Sequence, residues 1–111
     1  MLLFKRKFLP AIRAGEKTQT IRLWKHRMMR TGQRSYIPGA GGVRITVVEA
    51  VEVDSLTDKD ALPDGFATAD ALRAELQNIY GERLAAGYQA FRVGFELIAE
   101  EASPSKESVG R

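Results

Sequence analysis

The run Arg44 to Val53 limits the fold more than any other part of the chain. It is rich in β-branched residues, which pack well on a pleated, half-buried surface and lose rotamer freedom in a helix. Val43, Ile45, Val47, Val51 and Val53 share one parity, as a regular strand with one buried face requires. Glu49 falls on that same parity. Either its carboxylate is buried or near a cavity as a second candidate acid, or a β-bulge or the end of the sheet's cover accounts for its place. Three more segments read as strands: Met1 to Phe4, Arg34 to Pro38, and Phe91 to Ile98 with Phe91, Val93, Phe95 and Leu97 on one face. Phe8 to Ala14 reads as a short helix closed by Gly15. Thr68 to Tyr80 reads as a longer one, capped by Thr68, with Leu72, Leu76 and Ile79 as its buried stripe. Gly39 to Gly42 is a flexible turn and not a phosphate loop, because no Lys-Ser/Thr follows and a strand comes next. The connections do not repeat a βαβ unit. The expected architecture is α+β: a small, mainly antiparallel β-barrel of about five or six strands with one or two appended helices.

One domain accounts for the 111 residues, spanning 1–99, and the polar stretch 100–111 is expected to be a disordered tail. The absence of cysteine excludes disulfides, thiolate metal sites and a cysteine nucleophile. His26 is the only histidine and has no second ligand at metal spacing, so no metal and no cofactor are expected. No apolar run has the length of a membrane span and no export signal is visible, so the expected location is cytoplasmic.

The chemistry concentrates in Gly15-Glu16-Lys17-Thr18-Gln19-Thr20-Ile21-Arg22. If the chain is extended from Thr18, then Thr18, Thr20 and Arg22 share one face, and Gln19, Ile21 and Leu23 share the other. Lys17 precedes the regular strand and is free to bend over the polar face. Such a surface suits an anionic or hydrogen-bonding ligand, although a solvated amphipathic strand has the same pattern. Most of the seventeen Lys and Arg residues lie between Lys5 and Arg34, where Glu16 is the only acid. Arg22-Leu23-Trp24-Lys25-His26-Arg27 interleaves cations with the only Trp, as sites for unpaired nucleotides do. Trp24 would equally serve as a core or rim residue. A nucleoside or RNA is the expected partner class.

Gly-x-Lys-Thr-x-Thr-x-Arg at residues 15–22 follows a short helix and an N-terminal apolar segment, and it resembles the signature of the ASCH domain family, whose β-barrel is related to RNA-binding PUA domains. Thr31-Gly32-Gln33 resembles that family's next turn. Asp64-Gly65-Phe66, the helix from Thr68 and the strand Phe91 to Leu97 resemble its C-terminal half. The family includes binding modules, proposed ribonucleases and amidohydrolases. The nearest parallel is with small bacterial members that hydrolyse N(4)-acetylcytidine to cytidine and acetate. That parallel implies Lys17, Thr20 and Asp64 as catalytic residues; the polar strand face and the basic run give Thr18, Arg22, Trp24 and Arg27 as the substrate-binding candidates. Those enzymes carry glutamate where this chain has Asp64. A threonine hydroxyl needs a base to become a nucleophile. Lys17 can serve if burial or neighbouring cations favour its neutral form, or it stays charged and stabilises the oxyanion.

Overall fold

The structure, a computed structural model, describes residues 1–98. The expected tail falls outside the described residues. Four antiparallel strands form one sheet: β1 (Gln19–Trp24), β2 (Arg34–Ile37), β3 (Gly41–Val51) and β4 (Gln89–Leu97), in the order β1-β4-β3-β2. The helices are α1 (Leu9–Arg13), α2 (Asp58–Ala61) and α3 (Ala69–Ala85), with 3-10 turns at Arg6–Phe8, Val53–Ser55 and Leu62–Asp64.

The sheet is open, which corrects the expectation of a closed barrel. The missing strand is Met1 to Phe4. That segment reaches the sheet through one backbone bond, from Leu2 N–H to the Tyr36 carbonyl, and does not form a ladder. Leu2 nevertheless anchors in the core. Burial of one apolar side chain holds the segment where backbone pairing does not.

β4 lies inside the sheet and is covered on both faces. Phe91, Val93 and Phe95 enter a core with Leu2, Ile12, Ile37, Val43, Ile45 and Val48. Ala90, on the opposite face, joins Ile21, Leu23, Leu56, Leu72 and Leu76 beneath α2 and α3. Leu97, placed by parity with the core, is exposed because it lies at the strand's end.

A β-bulge decides the fate of Glu49. The β3–β4 register shifts between Ile45 and Val47, leaving Thr46 as the extra residue. Val43 and Ile45 are buried before the shift and Val48 after it, so the inward parity changes. Glu49 turns outward and accepts from Arg92 Nε at 2.7 Å. Gly94 of β4 faces this bulge. A Cβ there would lie 2.7 Å from Thr46 Oγ1 and 2.7 Å from Val47 Cγ1. Both are stiff β-branched side chains. Gly94→Ala is expected to destabilise the fold by about 1–3 kcal/mol, read as a lower urea midpoint at unchanged slope. An unchanged midpoint means the bulge yields freely.

α3 starts at the expected Thr68 cap, whose hydroxyl accepts from Ala71 N–H at 3.1 Å. It runs past Tyr80, which has non-helical angles (φ −122°, ψ 15°), and ends before Gly87. Ile79 was expected to be buried but is 42% exposed. Leu72 and Leu76 continue at i+4 spacing to Tyr80, which takes the packed position instead.

Candidate functional site

The turn before β1 is tied down from two sides. Lys17 N–H donates to the Ala11 carbonyl, while Thr18 N–H donates to Pro63 O at 2.7 Å and Thr18 O accepts from Phe95 N–H at 2.9 Å. Lys17 is thereby held against the 3-10 turn Leu62–Asp64. Gly65 closes that turn with φ 93°, a left-handed angle that favours glycine, and a Cβ there would lie 3.6 Å from the Lys17 side-chain stem.

Lys17 and Asp64 form a buried ion pair. Lys17 Nζ donates to Asp64 Oδ1 at 2.7 Å and also to the Asp64 backbone carbonyl. Each residue is only 3% exposed. Three aromatic rings enclose the amine: Phe8 at 5.0 Å, Phe66 at 5.6 Å and Phe4 at 5.7 Å from ring centroid to Nζ. Burial pushes the Lys17 pKa down, and Arg22 adds to the effect, against the opposing pull of Asp64. Burial likewise pushes the Asp64 carboxyl up, against the opposing pulls of Lys17, Gln19 and Arg22. Desolvation is the larger influence on both partners, so each is drawn toward its neutral form.

Thr20 and Arg22 extend from β1 beside this pair. Thr20, 6% exposed, accepts from Arg22 Nε at 3.0 Å, and Arg22 also donates to the Leu3 carbonyl at 2.7 Å. Its guanidinium lies 4.7 Å from the Phe4 ring. Lys17, Thr20, Arg22 and Asp64 all line one cavity of about 140 Å³, closed by Phe4, Phe8, Phe66 and Tyr80. Among the described residues no hydrogen bond joins Lys17 to Thr20; one bonds Asp64 and the other Arg22. The Asp64 carboxylate lies in the buried wall of this cavity. The volume is below the roughly 300–1,000 Å³ of a typical ligand pocket and suits one base-sized group.

The other candidates stand elsewhere. Thr18 is exposed and outside this cavity. Trp24 packs against Phe91 at 5.3 Å and lines a separate groove. Arg27 donates to the Val48 carbonyl at 2.8 Å and does not line the cavity. Glu49 is exposed on Arg92, far from the role of a buried acid.

The structure adds Gln19 and Arg92. Gln19 Nε2 donates to Asp64 Oδ2 at 3.3 Å and to the Asp60 carbonyl at 2.9 Å. Gln19 Oε1 accepts from Arg92, whose guanidinium also bonds Asp60 at 3.0 Å. Asp60 therefore holds Arg92. Strand parity already turned Gln19 inward; a buried amide on that face was the available signal. Gln19→Leu is expected to raise the Asp64 pKa, because it removes a donor to the ionised form. The carboxyl titration followed by carbon-detected NMR checks this, and an unmoved midpoint removes Gln19 from the site.

No family model matches the chain, and no curated protein is significantly similar to it in sequence. Its structure is similar to protein EF3133 of Enterococcus faecalis V583, described by family model DUF984 (TM-score 0.64, 18% identity, 83% of this chain and 70% of that one). It is also similar to the hypothetical protein PH0355 (TM-score 0.68, 17% identity, 86% and 95%). The third is an ASCH domain from Lactobacillus crispatus JV V101 (TM-score 0.62, 17% identity, 79% and 68%). At these identities the likeness is one of fold: an ASCH-like, PUA-like α+β arrangement.

Proposed function

We propose that this protein is an amidohydrolase that removes the acyl group from N4 of an acylated cytidine, converting N(4)-acetylcytidine to cytidine and acetate. The observation that carries this reading is the buried Lys17–Asp64 pair in the wall of a small cavity that Thr20 also lines. A purely structural ion pair does not need a nucleophilic hydroxyl lining the same cavity.

The chemistry runs as two acyl transfers. Thr20 Oγ attacks the acyl carbon and its proton passes to neutral Lys17. The C–N bond breaks as N4 takes a proton from Asp64. Lys17 is then an ammonium beside a carboxylate, so the charge created by the step appears as an adjacent opposite pair, the least costly arrangement inside a protein. Water next attacks the threonine ester and gives a proton to Asp64. The ester C–O bond breaks, Thr20 recovers its proton from Lys17, and acetic acid leaves. Arg22, already donating to Thr20 Oγ, favours developing negative charge on that oxygen. The aromatic walls exclude water and offer faces for a pyrimidine.

The test is to incubate the protein with N(4)-acetylcytidine and follow the absorbance change as the amide is lost. Turnover supports the reading. No turnover moves it to the alternative, an RNA-binding module or ribonuclease, which the exposed cations Lys25, Arg27 and Arg30 favour.

The pH profile separates the roles of Lys17. As base it must be neutral, so kcat/KM rises with pH through a midpoint below lysine's ordinary 10.5. As acid, Asp64 must be protonated, so a falling limb lies above its ordinary 3.8. The two limbs belong to the coupled pair. A rate that falls as pH climbs through the lysine titration assigns the ammonium to the oxyanion instead.

A further inference from the structure

Arg22 is shared between two cavities. On one side lies the Lys17 cavity; on the other lies a groove of about 530 Å³ lined by Trp24, Lys25, His26, Arg83 and Tyr88, among others. No Asp or Glu lines this groove. Two cations converge on one ring within it: Lys25 Nζ lies 5.7 Å and the Arg83 guanidinium 5.9 Å from the Tyr88 centroid. Among the described residues neither is paired with a carboxylate. Like charges gathered around one aromatic ring repel each other, and an anion bound by both relieves the repulsion. The adjoining Lys17 cavity has room for a base-sized group and shares Arg22 with the groove, so a ligand whose base enters the cavity can carry an attached anion into the groove.

We propose that the groove across Arg22 is a phosphate subsite of the same site, so that its substrate is a phosphate-bearing acylated cytidine, a nucleotide, in preference to the free nucleoside. The subsite rests on the reading of the Lys17 cavity as a cytidine site. Lys25 and Arg83 contact the phosphate, with Trp24 and Tyr88 offering faces to a neighbouring base when the phosphate belongs to an RNA strand.

Trp24 is the only Trp, so its fluorescence reports the groove without needing hydrolysis, and titration calorimetry reports binding in either space. Cytidine, cytidine 5′-monophosphate, cytidine 3′-monophosphate and a trinucleotide with central cytidine are titrated against the intact protein. At least one phosphate-bearing ligand is expected to bind at least about tenfold tighter than cytidine, and the advantage should shrink with added salt. Lys25→Gln and Arg83→Gln, both at exposed positions, should remove that advantage and leave cytidine binding unchanged. Tight monophosphate binding identifies a free nucleotide; tightening only with the trinucleotide identifies a strand. Equal binding of nucleoside and all phosphorylated forms overturns the subsite, as does equal weakening of every ligand by the variants. The acetylated forms are then assayed for hydrolysis. Turnover with no phosphate preference in affinity or kcat/KM leaves the hydrolase and removes the subsite; phosphate preference without turnover leaves the subsite and removes the hydrolase.

Discussion

Thr20→Ala is expected to lower amide hydrolysis by at least about a thousandfold while the protein stays folded. Loss of a nucleophile in a coordinated hydrolytic site costs on the order of 10⁶ in kcat, and whatever survives comes from binding and charge stabilisation alone. The structural cost is small. Thr20 loses one hydrogen bond, from Arg22 Nε, on the order of 1 kcal/mol, and Arg22 keeps its bond to the Leu3 carbonyl. Alanine also fits a strand at modest cost. Thr20→Ser keeps the hydroxyl and is expected to retain much of the rate. The measurement is kcat/KM for N(4)-acetylcytidine beside a urea curve for each variant. Wild-type turnover in Thr20→Ala would remove the nucleophile assignment. An RNA-binding module gives the opposite pattern: Thr20→Ala matters little, and substitutions at Lys25 or Arg27 weaken binding and flatten its salt dependence.

The second large effect falls on stability and holds whatever the activity. Lys17→Met leaves the Asp64 carboxylate buried with Gln19 as its remaining side-chain partner. Breaking a buried pair in this way costs about 3–5 kcal/mol. Lys17→Met combined with Asp64→Leu replaces both charges with apolar groups and should recover most of that loss. The pH dependence has a definite sign. The folded-state pKa of Asp64 lies above its unfolded value near 3.8, and removing Lys17 takes away the charge that pulled it down. The contribution of a raised carboxyl is fully present below the unfolded value and is lost as pH rises through the folded one. The deficit of Lys17→Met should therefore be full at neutral pH and shrink on acidification. Urea midpoints across pH check it. A single variant as stable as the double variant at pH 7 would mean that Asp64 is already neutral there.

These results also bear on how activity data are read. Lys17→Ala or Lys17→Met can abolish turnover through unfolding, so the lysine's role is better read from the pH profile of the intact protein. Gln19→Leu gives an intermediate case, because the pair survives and only the carboxyl's donor is lost.

Local sequence determined the pieces. β-branched runs and alternation located β1, β3 and β4 to within a few residues, and the Thr68 cap located the start of α3. Spacing around Gly15 put Lys17 ahead of β1, and parity turned Gln19, Ile21 and Leu23 inward. Tertiary structure decided the rest. Strand propensity in Met1 to Phe4 is local, whereas a ladder needs a partner edge in register, so the sheet stays open at four strands. One extra residue at Thr46 reverses every later side chain of β3, which sends Glu49 to solvent; a bulge is a property of two paired strands and has no period in one of them. Asp64 lies 47 positions from Lys17, and tertiary contacts, among them the backbone bond from Thr18 to Pro63 and the bonds from Gln19, bring the two together. The rings of Phe4, Phe8 and Phe66 close over the amine from three separate segments. That enclosure excludes water and draws both partners toward neutrality, because desolvation depends on everything packed around a charge and not on the residues beside it in the chain.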